Sequence, residues 1–435
     1  MKNKSNTFVR NTVIGVITKT LRLVLIIAGS IIIARTLGAE GKGIYSLSIL
    51  LPGLLMNIGN IGIGQASVFY IGQRKYTPEE VFGNNIILAS MLGLLGFCIG
   101  LVIVLFFNDL LLPGVKTTYL LLGLFLIPLN ILFYILKYVI LGLQKIKEFS
   151  CISIVQSLVF LCSLVIIVLV SRCGIMTVIM INIFSGLVGI LALLHLTKKS
   201  TGDVKIRLSR SYLRDLFGYG GKIYLGTIIQ FLHYRVDLFL INILMNPTAV
   251  GLYSIAVVLA ERIIVVSQSA GAVLFARVCS ETNERKLKIF TPVVCRNVLL
   301  VTIIGAVVLY FIGPSIIIFC FSPTFAASVM PFRILLVGVV CMGGWKILAN
   351  DLCGRGKAKW NIYINGVSLV LNIVLNILLI PKYGIVGAAW ATSLSYTFAF
   401  VAIAVVYGIM SGNTIATVVI PGARDCRFYV NLVKQ

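Results

Sequence analysis

Apolar stretches of twenty or more residues recur from one end of this 435-residue chain to the other, and that pattern leaves few folds open. Twenty helical residues, at about 1.5 Å each, cross the roughly 30 Å hydrocarbon core of a bilayer. The runs lack the polar/apolar alternation of a membrane barrel, and in lipid only helices and closed barrels satisfy every backbone amide. With 59% of residues apolar, too little polar surface remains to cover a water-facing globule. The sequence therefore predicts an all-α polytopic membrane protein. Twelve spans are expected, near 12–34, 44–71, 83–107, 115–142, 149–171, 175–197, 217–243, 250–277, 291–321, 326–353, 360–380 and 385–409. The first follows Lys2, Lys4 and Arg10 as a signal peptide would, but it is long and no small-residue cleavage site follows, so it is read as a retained helix.

Cations fix the expected orientation. With the N-terminus inside, inner segments hold Lys2, Lys4, Arg10, Arg74, Lys75, Lys145, Lys147, the run from Lys198 to Arg214, Arg277, Arg285, Lys286, Lys288, Arg355, Lys357, Lys359, Arg424, Arg427 and Lys434. Outer loops hold only Arg35, Lys42, Lys116, Arg172 and Lys382. Repeated loop after loop, this bias predicts both termini in the cytoplasm. The formal charge of +24 then reflects topology and anionic inner-leaflet lipid rather than nucleic-acid binding.

The apolar pattern is interrupted at 198–216, a cationic segment with six spans on either side. The expected organisation is an N-terminal six-helix lobe (1–197), a cytoplasmic linker (198–216), a C-terminal six-helix lobe (217–409) and a cytoplasmic tail (410–435). Gly43-Ile44-Tyr45-Ser46 matches Gly251-Leu252-Tyr253-Ser254 at an offset of 208 residues. An even number of spans per half makes both halves enter the membrane the same way, as in transporters built from parallel repeats.

Three stretches carry a family resemblance: IARTLGAEGKGIYSLSILLPGLL, RVDLFLINILMNPTAVGLYSIAVVLAERI and LCGRGKAKWNIYINGVSLVLNIVLNILLIPKYGIVGAAWATSLSY. The last joins a Gly-Arg-Gly-Lys turn, an Asn-bearing span, an Ile-Pro-Lys-Tyr-Gly turn and a Gly-Ala-Ala-Trp-Ala-Thr helix start. In order and spacing, from about residue 10 to 409, the chain resembles the polysaccharide exporter and O-antigen flippase family. That resemblance implies the superfamily of lipid II flippases and multidrug exporters, with two six-helix lobes in a V around a central cavity, and polysaccharide polymerase or ligase machinery as partners.

A span that lines water should carry a polar stripe at helical spacing. Asn11, Gly15, Thr18 and Arg22 form one in the first span, Asn57, Asn60, Gly64 and Ser67 in the second, and Asn130, Tyr134, Lys137 and Gln144 in the fourth. Ser254, Glu261 and Gln268 recur every seven residues, and Asn361, Asn365, Ser368, Asn372 and Asn376 share a face of the eleventh span. Such residues equally serve as glue between helices. Charges demand more, since an ionised side chain at mid-bilayer costs about 2.5–3.5 kcal/mol on insertion scales. Arg22 and Arg235 are expected to hold a diphosphate, which a guanidinium fork suits, assisted by Lys137, Asn57, Asn60, Tyr134, Asn365 and Asn372. Asp237 and Glu261 are expected to balance these cations or take up a coupling proton. Arg235 and Asp237 cannot share a helix face, whereas His233 and Asp237, four apart, can.

A cavity lined by cations attracts anions. The expected cargo is an undecaprenyl-diphosphate-linked oligosaccharide repeat unit for O-antigen or capsule synthesis, moved by alternating access in the bacterial cytoplasmic membrane. Lipid II or a drug on the same fold are alternatives, although a cationic drug wants the opposite charge. A membrane glycan polymerase or ligase needs a large outer loop and is disfavoured by turns as short as 172–174, 244–249 and 322–325. No cofactor or metal is expected: the ten cysteines show no metal-ligand spacing. Cys151, Cys162 and Cys173, eleven apart, are read as packing residues on one face.

Overall fold

The structure is a computed structural model that describes residues 2–171, 173–202, 207–281 and 283–420, with side chains described outside 2–17, 19, 219–223, 276 and 280. Arg172, Lys205, Arg424, Cys426, Arg427 and Lys434 lie outside the described residues, as do the side chains of Lys2, Lys4, Arg10, Asn11, Lys19 and Lys222.

The described secondary structure is helical: α1 Lys2–Gly59, α2 Ile63–Gly72, α3 Pro78–Leu111, α4 Thr117–Leu124, α5 Leu126–Gly142, α6 Ile146–Val170, α7 Ile175–Thr201, α8 Arg210–Leu244, α9 Pro247–Ala260, α10 Ile264–Ser280, α11 Glu284–Ile316, α12 Val329–Gly354, α13 Lys359–Ser411 and α14 Ile415–Val419. Among the described residues, ten helical stretches are long and apolar enough to cross a bilayer. The chain is an all-α polytopic membrane protein.

The two longest of these stretches, Thr20–Gly59 and Lys359–Ser411, each contain a glycine outside helical geometry. In α13, Gly384 adopts φ 57°, and the limbs on either side fold back onto each other: the Ser368 hydroxyl donates to the Ser395 carbonyl at 2.7 Å and the Asn372 amide to the Ser395 hydroxyl at 3.2 Å. In α1, Gly38 adopts φ 68°, and Lys42 Nζ reaches the Ser30 hydroxyl at 3.2 Å. Positive φ without a Cβ penalty is what glycine supplies at such reversals. This places Lys42, expected in an outer loop, inside a helix: it is buried and lies 5.6 Å from the Tyr45 ring centroid. Ser30 and the aromatic face replace the water that an exposed lysine would have.

By contacts the chain divides into two compact units, Met1–Phe231 with Asn246–Gly251, and Leu232–Met245 with Leu252–Gln435. In the first unit, α1 packs along α6 and α7 through Ile33, Tyr45, Leu164, Val178, Ile179 and Ile181. The second expected span is broken: α1 ends at Gly59, and Ile61 (φ 41°) and Gly62 (φ 72°) turn the chain before α2. A capping box starts α3, with Thr77 accepting from the Glu80 amide and Glu80 from the Thr77 amide. The start of α8 docks here as well. Asp215 is ion-paired to Lys75 at 2.5 Å and accepts from the Tyr76 hydroxyl at 2.6 Å, while Tyr70 donates to its backbone carbonyl. Tyr212 donates to Asn85 at 2.9 Å.

In the second unit, α13 packs on α12, and α12 on α10 and α11. Between α9 and α10 the helix tightens into a single 3-10 turn, Glu261–Ile263. Cys151 and Cys162 are exposed rather than packed, which a weakly polar thiol tolerates against lipid.

Candidate functional site

Residues two apart on a helix diverge, and on α8 Arg235 and Asp237 do so. Arg235 donates from both terminal nitrogens to the two carboxylate oxygens of Glu261, at 3.0 and 3.1 Å, and also to the Tyr234 carbonyl at 3.0 Å. This is a bidentate fork, the strongest geometry available to the pair. The 3-10 turn that carries Glu261 presents it at the end of α9. The cation expected at a diphosphate is thus held by the acid expected to balance it.

Asp237 is buried, and its oxygens accept from the Tyr253 hydroxyl at 2.8 Å, the Leu238 amide at 2.8 Å and the Thr392 hydroxyl at 3.4 Å. His233, one turn earlier on the same face, meets the hydroxyls of Ser395 and Ser368, each at 3.2 Å from its Nε2. Thr392 and Ser395 are three apart on α13, so the His233/Asp237 face of α8 lies against a hydroxyl-bearing face of that helix. Asn372 ties the two hydroxyls together at 3.5 and 3.2 Å and accepts from Asn376 at 3.0 Å. Asn365 is buried with its side-chain oxygen unpartnered.

Asp237 and Glu261 line one small, partly open cavity, together with Tyr234, Thr392, Tyr396 and the apolar Val257, Ala260, Leu335 and Val339. Lys346 stands 5.4 Å from the Tyr234 ring centroid. Tyr253, Thr392 and Tyr396 were not singled out by sequence. Tyr253 carried a signal, since it lies in the repeated Gly-Leu-Tyr-Ser; a threonine and a tyrosine in an apolar run carry none.

In the first unit, Arg22 on α1 is half-buried, and its Nε is buried without a hydrogen-bond partner among the described residues. Lys137 on α5 lies over the rings of Tyr134, Tyr138 and Phe149, 5.9, 5.3 and 5.6 Å from their centroids. Asn57 turns back to donate to the Gly53 carbonyl at 2.8 Å, whereas Asn60 is buried at the break after α1 with its side-chain oxygen unpartnered. Gln65 and Tyr138, which join Tyr134 in a hydrogen-bonded group, are the polar residues here that the periodicity did not select.

A sequence model of the polysaccharide biosynthesis protein family matches residues 6–278. A putative O-antigen transporter of Shigella flexneri is 22% identical over 389 residues, 83% of this chain and 88% of that protein. An uncharacterized membrane protein of Methanocaldococcus jannaschii is 29% identical over 199 residues, 44% of this chain; the match spans 39% of that relative's length. Among solved structures, the lipid II flippase MurJ in an inward closed conformation superposes with a TM-score of 0.76, at 14% identity, over 97% of this chain and 93% of that one. At that identity the likeness is one of fold.

Proposed function

The chain belongs to the polysaccharide biosynthesis protein family, and from that membership we propose the finer identity of the cargo. A multi-pass flippase of glycan biosynthesis carries, in this reading, an undecaprenyl-diphosphate-linked oligosaccharide repeat unit across the bacterial cytoplasmic membrane for O-antigen or capsule synthesis.

The observation that carries the reading is Arg22, a guanidinium whose Nε is buried in the first unit with no hydrogen-bond partner among the described residues. A buried, unmet cationic donor at membrane depth favours an anion, and phosphate oxygens suit its geometry. Arg235 enters the same scheme in a different state, its fork closed on Glu261. It becomes available to a phosphate when Glu261 is protonated or displaced, which makes Glu261, with Asp237 beside it in the cavity, the coupling group. Lys137, Tyr134, Asn57, Asn60, Asn365 and Asn372 contribute polar contacts.

The organisation that goes with this function has six crossings on each side of a cytoplasmic linker at 198–216. The lobes are 1–197 and 217–409, followed by a tail at 410–435. Counting each limb of α1 and of α13 as a crossing gives twelve, with both termini in the cytoplasm. Alternating access moves the head group while the prenyl chain stays in lipid. Anionic inner-leaflet lipid and a polysaccharide polymerase or ligase are the partners.

Binding to the purified, nanodisc-held protein tests the cargo. Undecaprenyl diphosphate should bind and should not be competed by a lipophilic cation such as tetraphenylphosphonium. Binding of the cation alone would reassign the chain to drug export.

A further inference from the structure

The break in the second expected span, between α1 and α2, holds strained backbone beside polar groups unpaired among the described residues. Ile61 is β-branched yet holds φ 41°, a conformation kept only where the surroundings impose it. Irregular backbone at membrane depth is tolerated where it is buried in protein or lines a wet space. The break lies on α5: a methyl group on Gly59 would stand 3.1 Å from Ile131, and one on Gly64 would stand 2.6 and 2.8 Å from the rings of Tyr138 and Tyr134.

Hydrogen bonds beside the break run in one direction. Gln65 Nε2 donates to the Tyr134 hydroxyl at 3.3 Å, and Tyr134 donates to the Tyr138 hydroxyl at 3.2 Å. The relay makes the Tyr138 phenol its terminal donor. At its other end the Gln65 side-chain carbonyl oxygen is buried and accepts from nothing among the described residues, and so does that of Asn60, whose residue is 5% exposed. Buried acceptors left empty are destabilising in a folded protein and call for a donor.

We propose that Asn60, Gln65 and Tyr138 form a subsite that reads sugar hydroxyls on the cargo. A phosphate ester offers only acceptors and would leave both carbonyl oxygens unmet. A sugar hydroxyl donates and accepts at once, which matches two empty acceptors beside a terminal donor. Sites of this kind discriminate strongly, because a ligand without the hydroxyl strands the buried groups. Lys137 over the Tyr134 and Tyr138 rings occupies their faces, so recognition falls to the hydroxyl edges. The assignment rests on the lipid-linked sugar reading above and divides its labour: cations for the diphosphate, this group for the glycan.

The test compares two probes on the full-length protein in nanodiscs, undecaprenyl diphosphate and undecaprenyl-diphospho-N-acetylglucosamine. The parent should prefer the glycosylated lipid. Gln65→Leu and the near-isosteric Tyr138→Phe should each weaken that lipid about tenfold and the bare diphosphate less than about twofold. Equal weakening of both probes overturns the subsite, since the residues would then serve the phosphate. A parent with no preference between the probes also overturns it, yet leaves the flippase reading standing. A parent that binds neither overturns both.

Discussion

Gly43 and Gly251 pack backbone against backbone, and reciprocally. A methyl group on Gly43 would stand 2.9 Å from the Gly251 amide nitrogen and overlap the Pro247 carbonyl; one on Gly251 would stand 2.9 Å from the Gly43 amide nitrogen and overlap the Ala39 carbonyl. Ala39 and Pro247 each lie four residues before the glycine of their own segment. The offset of 208 that relates the two Gly-x-Tyr-Ser stretches therefore relates the contact as well, which has the self-complementary form of a two-fold interface. Both glycines belong to the first unit.

Alanine at either glycine meets main-chain atoms, which cannot rotate aside. Gly43→Ala and Gly251→Ala should each cost at least the ~1–3 kcal/mol typical of overpacking. The double variant should cost less than the sum, because both strain one contact. Thermal unfolding in detergent measures this, and parent-like melting of either single variant would contradict the packing.

The Arg235–Glu261 pair is mostly buried, with 31% and 21% of its side chains exposed. Removing one partner strands the other charge, so Glu261→Gln and Arg235→Met should each destabilise by about 3 kcal/mol. Replacing both by methionine should recover most of that loss, because no lone charge remains. A double variant as unstable as the worse single one would show that the pair is not the stabilising unit.

The docking of α8 onto the first unit predicts a pH signature. The hydrogen bond from Lys75, then that from Tyr76, holds the Asp215 carboxyl below its ordinary 3.8, while the hydrogen bond it donates to Asp215 holds the Lys75 ammonium above its ordinary 10.5. A lowered acid stabilises above its unfolded value and loses that contribution as pH falls through the folded one. A raised base stabilises below its unfolded value and loses its contribution as pH climbs through the folded one. Asp215→Asn should therefore melt below the parent from roughly pH 4 to pH 10 and approach it outside that range. The gap should be small, since the pair lies at the surface, with the Lys75 side chain 49% and that of Asp215 28% exposed. A constant gap across all pH would show that the contact is not ionic.

Arg22→Ala should abolish flipping while leaving membrane abundance intact, read by immunoblot beside a surface-polysaccharide stain. Full polysaccharide display by that variant would remove Arg22 from the cargo path.

Much of this architecture is legible in the sequence because lipid is an unforgiving solvent. Long apolar runs have a single use there, and the all-α, multi-pass class follows from them. The reversals at Gly38 and Gly384 are harder to see, because the chain stays helical on both sides of one residue. Lys42 shows the limit of counting cations: charge alone assigns it to water, and only the fold-back brings Ser30 and the Tyr45 ring to it. The pairing of Arg235 with Glu261 depends on a tightened turn that periodicity cannot see. Asp215 and Lys75 meet across 140 positions of sequence, and nothing local announces it.

The hairpin of α13 has a consequence for how the chain is made. A ribosome delivers residues 359–380 first, with Asn365, Asn372 and Asn376 on board, before the hydroxyls of Thr392 and Ser395 exist. Until the second limb is synthesised, the Asn372 amide nitrogen lacks the acceptors it has in the finished fold, and in hydrocarbon an unmet polar group is costly. The smallest piece at home in the bilayer is then the pair of limbs, and the translocon receives it as a single delayed delivery.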